Sequence, residues 1–234
     1  RRELRRWEKT ARADAKVLDA GSGFGQYVWR MARIGSGYSI KGIDVKEEQV
    51  ADCNDFFGKR GLANRVVFDC VSLEEFNEQG IYDLVLSVDV MEHIEEDEKV
   101  MNNLCNSLRK GGMLIISTPS DKGGSDVHHY DNDGAVGFID EHVRDGYNAD
   151  DIRQKLMRSG FSEVETLYSY GKPGSLAWKL SMKVPILALN FTKIFFIVLP
   201  FYYLVTYPLA YILNHIDMAL THREGTGLIV KARK

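Results

Sequence analysis

The sequence predicts an α/β protein: an open, doubly wound, mostly parallel sheet of seven strands, with an apolar helical insertion before the last one. Three observations carry this. Between Lys16 and Pro119, short apolar runs alternate with segments of helical period, the pattern of strands joined by crossover helices. Four of those runs end in a carboxylate, at Asp19, Asp44, Asp69 and Asp89. Near the C-terminus a last short run, 227–233, follows a belt of uncharged apolar residues.

Taken in order, residues 1–13 set Arg1, Arg2, Arg5, Arg6, Lys9 and Arg12 against Glu3 and Glu8. Leu4 and Trp7 predict a helix anchored over the start of the sheet; a basic helix lying on anionic lipid is the alternative. Val17-Leu18 opens a strand that closes in Asp19-Ala20-Gly21-Ser22-Gly23-Phe24-Gly25, and an amphipathic segment, 27–34, follows. A strand, a tight glycine turn and a helix present main-chain N–H groups to a ligand. The spacing narrows the choice of ligand. A dinucleotide fingerprint places its third glycine where Gln26 stands, and no G-K-[ST] triplet of a phosphate loop occurs.

Residues 38–44 make a second strand, whose terminal Asp44 can accept both ribose hydroxyls of a nucleoside. The segment 47–58 is a helix with Val50, Cys53, Phe56 and Phe57 as its buried face. Residues 65–69 are a third strand, and 82–89 a fourth, the most continuously apolar, as suits a central parallel strand. A helix over 95–108 is stopped by Arg109-Lys110-Gly111-Gly112, and 113–118 is a fifth strand halted by Pro119. Asn148 caps a helix through Met157, and 161–168 is a sixth strand. Ligands of such sheets bind beyond the carboxyl ends of the strands, where Asp19, Asp44, Asp69 and the 87–89 segment converge.

Composition excludes several classes. With 44% hydrophobic and 27% charged residues the chain is an ordinary globular one. A net charge of −3 and a pI near 6.1 give no electrostatic footprint for nucleic acid, so no nucleic-acid partner is expected. Cys53, Cys70 and Cys105, an odd set without a paired motif, predict buried small hydrophobes in a reducing compartment. No signal peptide is visible, and the expected location is cytoplasmic, or peripheral at the inner face of a membrane.

Five segments together carry a resemblance: Asp19-Ala20-Gly21-Ser22-Gly23-Phe24-Gly25, Gly42-Ile43-Asp44, Asp69-Cys70-Val71, Val88-Asp89-Val90-Met91-Glu92-His93-Ile94 and Leu108-Arg109-Lys110-Gly111-Gly112-Met113-Leu114. Over 16–120 the chain resembles the class I S-adenosylmethionine-dependent methyltransferases, particularly the small-molecule subgroup called type 11, whose sheet is Rossmann-like. The resemblance implies S-adenosylmethionine as cofactor, S-adenosylhomocysteine as product and no metal. It implies that Gly21, Gly23 and Gly25, behind Asp19, make room for the methionine portion. Asp44, with Val45, would hold the ribose. Asp69 would accept the adenine amino group while Cys70 and Val71 flank the ring, and Ser87 and His93 would complete the set. For each acid the alternative is an exposed strand-end carboxylate capping the next helix.

Beyond the fifth strand, 120–134 and 140–147 form an irregular stretch over the carboxyl ends, the usual place for an acceptor site. His142 and His129 are the candidate general bases, with His128 and Tyr130 as rivals; the alternative is that they only hold neighbouring loop residues. Asp131-Asn132-Asp133-Gly134 is no calcium loop, because its glycine comes early and its twelfth position is His142. The belt 194–213 runs twenty residues without a charge, enough to cross a bilayer by length. Lys179, Lys183 and Lys193 precede it, and Tyr203, Tyr207 and Tyr211 form an interface-like stripe. In the family resembled, the last strand inserts beside the fifth, so the belt must leave and return on one side. Pro200 and Pro208 are expected to break or kink it.

The expected division is a cofactor-binding core, 1–170, an apolar insertion, 171–221, and a returning strand, 222–234. The insertion is a lid over an apolar acceptor pocket, a membrane-surface contact through 184–213, or packing on the core or in a homodimer. The function expected is methyl transfer to a small apolar or lipid-like acceptor, on oxygen or carbon. The rivals are a nicotinamide-dependent oxidoreductase and a non-catalytic, membrane-associated cofactor-binding module. Gln26 and the lack of an S/Y-x-x-x-K pair near the fifth strand count against the first; the acids at 19, 44 and 69 count against the second. No N-P-P-Y motif stands at 87–90, which argues against methylation of protein or nucleic-acid amides and amines.

Overall fold

The computed structural model describes residues 2–123 and 143–234. Its strands are β1 (Lys16–Ala20), β2 (Ser39–Asp44), β3 (Val66–Cys70), β4 (Tyr82–Val88), β5 (Leu108–Pro119), β6 (Glu163–Ser169) and β7 (Gly227–Arg233). They form one seven-stranded sheet in the order β3-β2-β1-β4-β5-β7-β6. β1 to β5 are parallel, and β7 is antiparallel to both β5 and β6. This is the mostly parallel, doubly wound, Rossmann-like sheet predicted. Strand order reverses between β1 and β4, which places the ligand crevice beyond Ala20 and Val88.

Alternation along the central strands sorts their side chains to two faces. Val17, Leu84 and Leu86 join Phe57 and Phe68 on the side of α2 (Gln26–Ile34) and α3 (Glu47–Lys59). Leu18, Ala20 and Val85 join Leu104, Ile152 and Leu156 on the side of α4 (Asp97–Ser107) and α5 (Ala149–Arg158). The N-terminal helix α1 (Arg2–Glu8) buries Leu4 and Trp7, and Trp7 meets Tyr38 edge-on with ring centroids 5.7 Å apart. Glu3, facing inward, is ion-paired with Lys231 at 3.0 Å, so α1 is fastened to the sheet. Asn148 caps α5 by accepting the Asp150 and Asp151 N–H groups, at 3.0 and 3.3 Å.

Several expectations change. Phe56 is exposed instead of buried; it packs on Trp29 and lies under the Arg60 guanidinium, while Val50, Cys53 and Phe57 form the inner face of α3. Cys70 is exposed, whereas Cys53 and Cys105 are buried. β5 begins at Leu108, with Arg109–Gly112 inside the strand as an irregularity and not a turn before it. The cause is non-local: Arg109 pairs with the buried Asp83, and Gly111 N–H donates to the Lys234 carbonyl at 3.0 Å. Gly111, at φ 78°, supplies the conformation this irregularity needs.

The insertion is a helical hairpin. α6 (Lys172–Trp178), a π turn (Lys179–Lys183) and α7 (Val184–Phe191) run on as one rod, and α8 (Phe195–Ala219) returns beside it. Tyr202 and Tyr203 donate their hydroxyls to the Leu180 and Ser181 carbonyls, at 2.6 and 2.8 Å. Pro200 and Pro208 lie inside α8 without breaking it. Each proline removes only its own N–H bond, and packing against the first rod keeps the helix intact.

Candidate active site

The glycine turn follows from its dihedrals. Gly21, Gly23 and Gly25 have φ of 80°, 50° and 70°, where a side chain is strained. At Gly21 a Cβ would also collide with the Val90 side chain, whereas at Gly23 it would meet nothing within 4 Å. The space beside Gly23 is thus open toward the crevice. The turn is pinned to β2: the Gly21 and Ser22 N–H groups both donate to the Ile43 carbonyl at 2.9 Å. The Gly23 N–H donates to Asp44 Oδ2 at 2.8 Å, and the Lys46 N–H to Asp44 Oδ1 at 3.1 Å. Asp44 is therefore held at the crevice edge with each oxygen bonded on one side only.

Asp19 lies beneath the turn and is 1% exposed. Burial, together with the Asp44 charge, pushes its carboxyl up to about 8, partly offset by the Val28 backbone N–H. Asp19 Oδ2 and Ser87 Oγ are both buried without a hydrogen-bond partner. Such orphaned groups beside an open space are what a polar ligand would satisfy. Phe24 and Val45 stand out from the turn and from the residue after Asp44, 79% and 65% exposed. Phe24 was not singled out from the sequence, although an aromatic ring between two glycines of a ligand turn is a legible signal.

The other predicted cofactor residues are placed with varying agreement. Asp69 is the penultimate residue of β3, but its Oδ2 is ion-paired with Lys41 at 2.9 Å, and Lys41 also holds Glu78 at 2.6 Å. Cys70 leans on the Val45 carbonyl at 3.5 Å, and Val71 packs on the core. His93 ends a short 3-10 turn, Met91–His93, just past β4. His129 and His142, with His128, Tyr130 and Asp131–Gly134, lie outside the described residues. Val143, next to His142, donates its N–H to the Glu92 carbonyl at 3.0 Å. Asp97 anchors the same stretch, accepting from Tyr147 Oη and Lys155 Nζ at 2.8 Å each and pairing with Arg144. Burial would raise this carboxyl, but those donors outweigh it and hold it below the ordinary carboxylate range. Among the described residues, no cluster of His, Cys, Asp or Glu could hold a metal ion.

Two further residues emerge only from the backbone. Asp89, just beyond β4, and Tyr170, just beyond β6, are the non-glycine residues with positive φ among those described, at 54° and 53°. Such conformations gather at functional sites. Burial raises the Asp89 carboxyl, with His93 opposing, and burial plus the Asp89 and Asp217 charges raises the Tyr170 phenol. Tyr170 is clamped from α8: its N–H donates to Asp217 Oδ2 at 3.1 Å, the Gly174 N–H donates to Asp217 Oδ1 at 3.0 Å, and His222 Nε2 lies 3.1 Å from the same oxygen.

A parallel sheet closed by an antiparallel strand, with a glycine turn bonded to a strand-end acid, defines an α/β enzyme built around a nucleoside-type cofactor. A family profile described as a methyltransferase domain matches residues 11–159, more than half of the chain, which therefore belongs to this family of S-adenosylmethionine-dependent methyltransferases. A tRNA U34 carboxymethyltransferase of Mannheimia succiniciproducens is 34% identical over 120 residues, covering 50% of this chain and 35% of that protein. The mitochondrial ubiquinone biosynthesis O-methyltransferase of Homo sapiens is 34% identical over 107 residues, covering 44% of this chain and 28% of its own length. The aligned part is thus well under half of these curated relatives. Among solved structures, phosphoethanolamine N-methyltransferase 2 of Haemonchus contortus, with S-adenosylmethionine, superposes at a TM-score of 0.68 with 19% identity, over 99% of this chain and 51% of that one. An S-adenosylmethionine-dependent methyltransferase of Mesorhizobium loti superposes at 0.60 with 17% identity, over 99% and 97%.

Proposed function

We propose that the chain moves the methyl group of S-adenosylmethionine to a small apolar or lipid-like acceptor, on oxygen or on carbon. On this reading the open flank of Gly23, between Gly21 and Gly25, and the orphaned oxygens of Asp19 and Ser87 take the methionine portion. Asp44 holds the ribose, and Phe24, Val45, Asp69, Cys70, Val71 and His93 line the rest of the crevice. The bound cofactor supplies an electrophilic methyl group on a sulfonium. The residues of the chain then align the acceptor and, for a hydroxyl, hold its proton. Asp89 and Tyr170 fall on the acceptor side, and His142 and His129 are the candidate bases read from the sequence.

The observation that carries the acceptor class is the connection from Tyr170 straight into the apolar hairpin. The strand end that carries Tyr170, whose phenol feels the Asp89 charge, runs directly into α6 and is tied to the last turns of α8 by Asp217. A small-molecule acceptor also suits the net charge of −3 better than a nucleic acid does. The test is incubation of the purified protein and methyl-labelled S-adenosylmethionine with a cell extract, followed by partition. Label in the organic phase supports the reading; label confined to the aqueous phase overturns the apolar acceptor.

A further inference from the structure

We infer that the α6–α8 hairpin docks on an anionic phospholipid bilayer, lying in one leaflet without crossing it. This deepens the acceptor reading by naming the surface that would deliver such a molecule, and it stands on separate observations.

The first is exposure. Phe191 is 91%, Phe201 71% and Leu204 76% exposed, and the most apolar stretch of α8 is only 6% buried. A contiguous apolar face of that extent needs a partner. Tyr207 and Tyr211 stand outward from it, as interfacial tyrosines do, whereas Tyr203 turns inward to the Ser181 carbonyl.

Charge selects the partner. Between Gly171 and Ile216 there is no Asp or Glu but there are four lysines, 172, 179, 183 and 193. With Asp217 buried at its root, the insertion, 171–221, therefore carries +3, leaving −6 on the remainder of a chain whose total is −3. Lys172, Lys179 and Lys183 recur at intervals of seven and four on one continuous rod, hence on one helical face. A second copy pairing through the same stretch would offer those lysines no acid between residues 171 and 216. Anionic headgroups complement the lysines while the acyl boundary takes the apolar face.

Topology sets the depth. α8 has 25 residues, about 37 Å of helix and enough to span by length. Yet β6 and β7 pair continuously from Glu163↔Arg233 to Ser169↔Gly227, so the hairpin leaves and re-enters at one end of the sheet; that excludes a single crossing, and a double one would drag Lys193, at the turn between α7 and α8, through the hydrocarbon. At the root of the hairpin Lys172 and Lys179 also line, with Lys122, Tyr170 and a single acid, Glu224, a cavity of about 400 Å³.

The test is flotation of the full chain with vesicles of phosphatidylcholine alone and of an equimolar mixture with phosphatidylglycerol. Binding is expected to favour the mixed vesicles and to weaken with salt. Lys172→Gln, Lys179→Gln and Lys183→Gln should each lower partition about fivefold. Phe201→Asp with Leu204→Asp should abolish it while leaving calorimetric S-adenosylmethionine affinity intact. Should that double variant fail to fold, the lysine variants decide alone. Equal binding to both vesicle types, or no flotation with α8 buried in a dimer, overturns the inference. Organic-phase label without flotation would sink the docking surface and leave the acceptor reading standing.

Discussion

Asp19→Asn isolates the most perturbed group of the crevice. Burial and the Asp44 charge hold the Asp19 carboxyl at about 8, against 3.8 when free. Between those values the folded chain keeps a proton that the unfolded chain has released, so stability is greatest below 3.8 and is lost as pH rises toward 8. The slope for one such group is about 1.4 kcal/mol per pH unit, so from pH 5.5 to 7.5 the loss is a few kcal/mol, on the order of 2–3. The carboxamide of the variant stays neutral and can still accept the Val28 N–H, so its stability curve should lack this slope. Asp89 and Glu92 are raised by burial as well, but they titrate in both proteins and cancel in the difference. Asp97 and Glu78 are depressed, so their contribution is lost only as pH falls through the acid range below this window. Urea unfolding of both proteins without cofactor, at three pH values in this window, is the assay. Parallel curves would refute the assignment of a buried, proton-holding Asp19.

Asp44→Ala removes the acceptor of the Gly23 and Lys46 N–H groups, and calorimetric S-adenosylmethionine affinity should fall by at least about tenfold, as for a lost charge-assisted hydrogen bond. Gly23→Ala puts a side chain at φ 50° and a methyl into the open flank; stability should drop by about 1–2 kcal/mol in thermal melts, with a larger loss in cofactor affinity. His142→Ala should slow methyl transfer with cofactor affinity unchanged; full activity in single-turnover assays would remove it as the base. Asp217→Ala strands the Tyr170 and Gly174 N–H groups, so denaturant titration should show a loss of about 2–4 kcal/mol. Acceptor KM should rise there while cofactor Kd stays put.

Much of the sheet was legible because its signals are local. Apolar runs closed by acids marked β1 to β4, and Asn148 announced α5 through its own side chain. The start of β5 was not, since Arg109–Gly112 reads as a helix stop until Asp83 and Lys234 pair across it. Phe56 followed the helical period but lies beside Trp29 and Arg60, partners that only the fold assembles. In the crevice the glycines and Asp44 were legible by spacing. Asp69 was legible as a strand-end acid, but not its ion pair with Lys41. Asp89 and Tyr170 owe their prominence to backbone angles, which no residue type announces.

The hairpin and the crevice meet in one residue. Asp217 sits in the last turns of α8, a helix most of whose residues are exposed, yet it is buried, as is Ala210. Its carboxylate holds the Tyr170 N–H and so fixes the strained turn after β6, while its charge and that of Asp89 act on the same phenol. A helix needing only to cover an apolar surface has no use for a buried acid at its base. One that must stay in register with a strand end has, because two N–H groups and His222 converge on a single side chain. The insertion is thus keyed to the end of β6 by directional bonds, whereas its outer face is apolar. That division, rigid at the root and apolar at the surface, is what a device reaching from the crevice to a lipid phase requires.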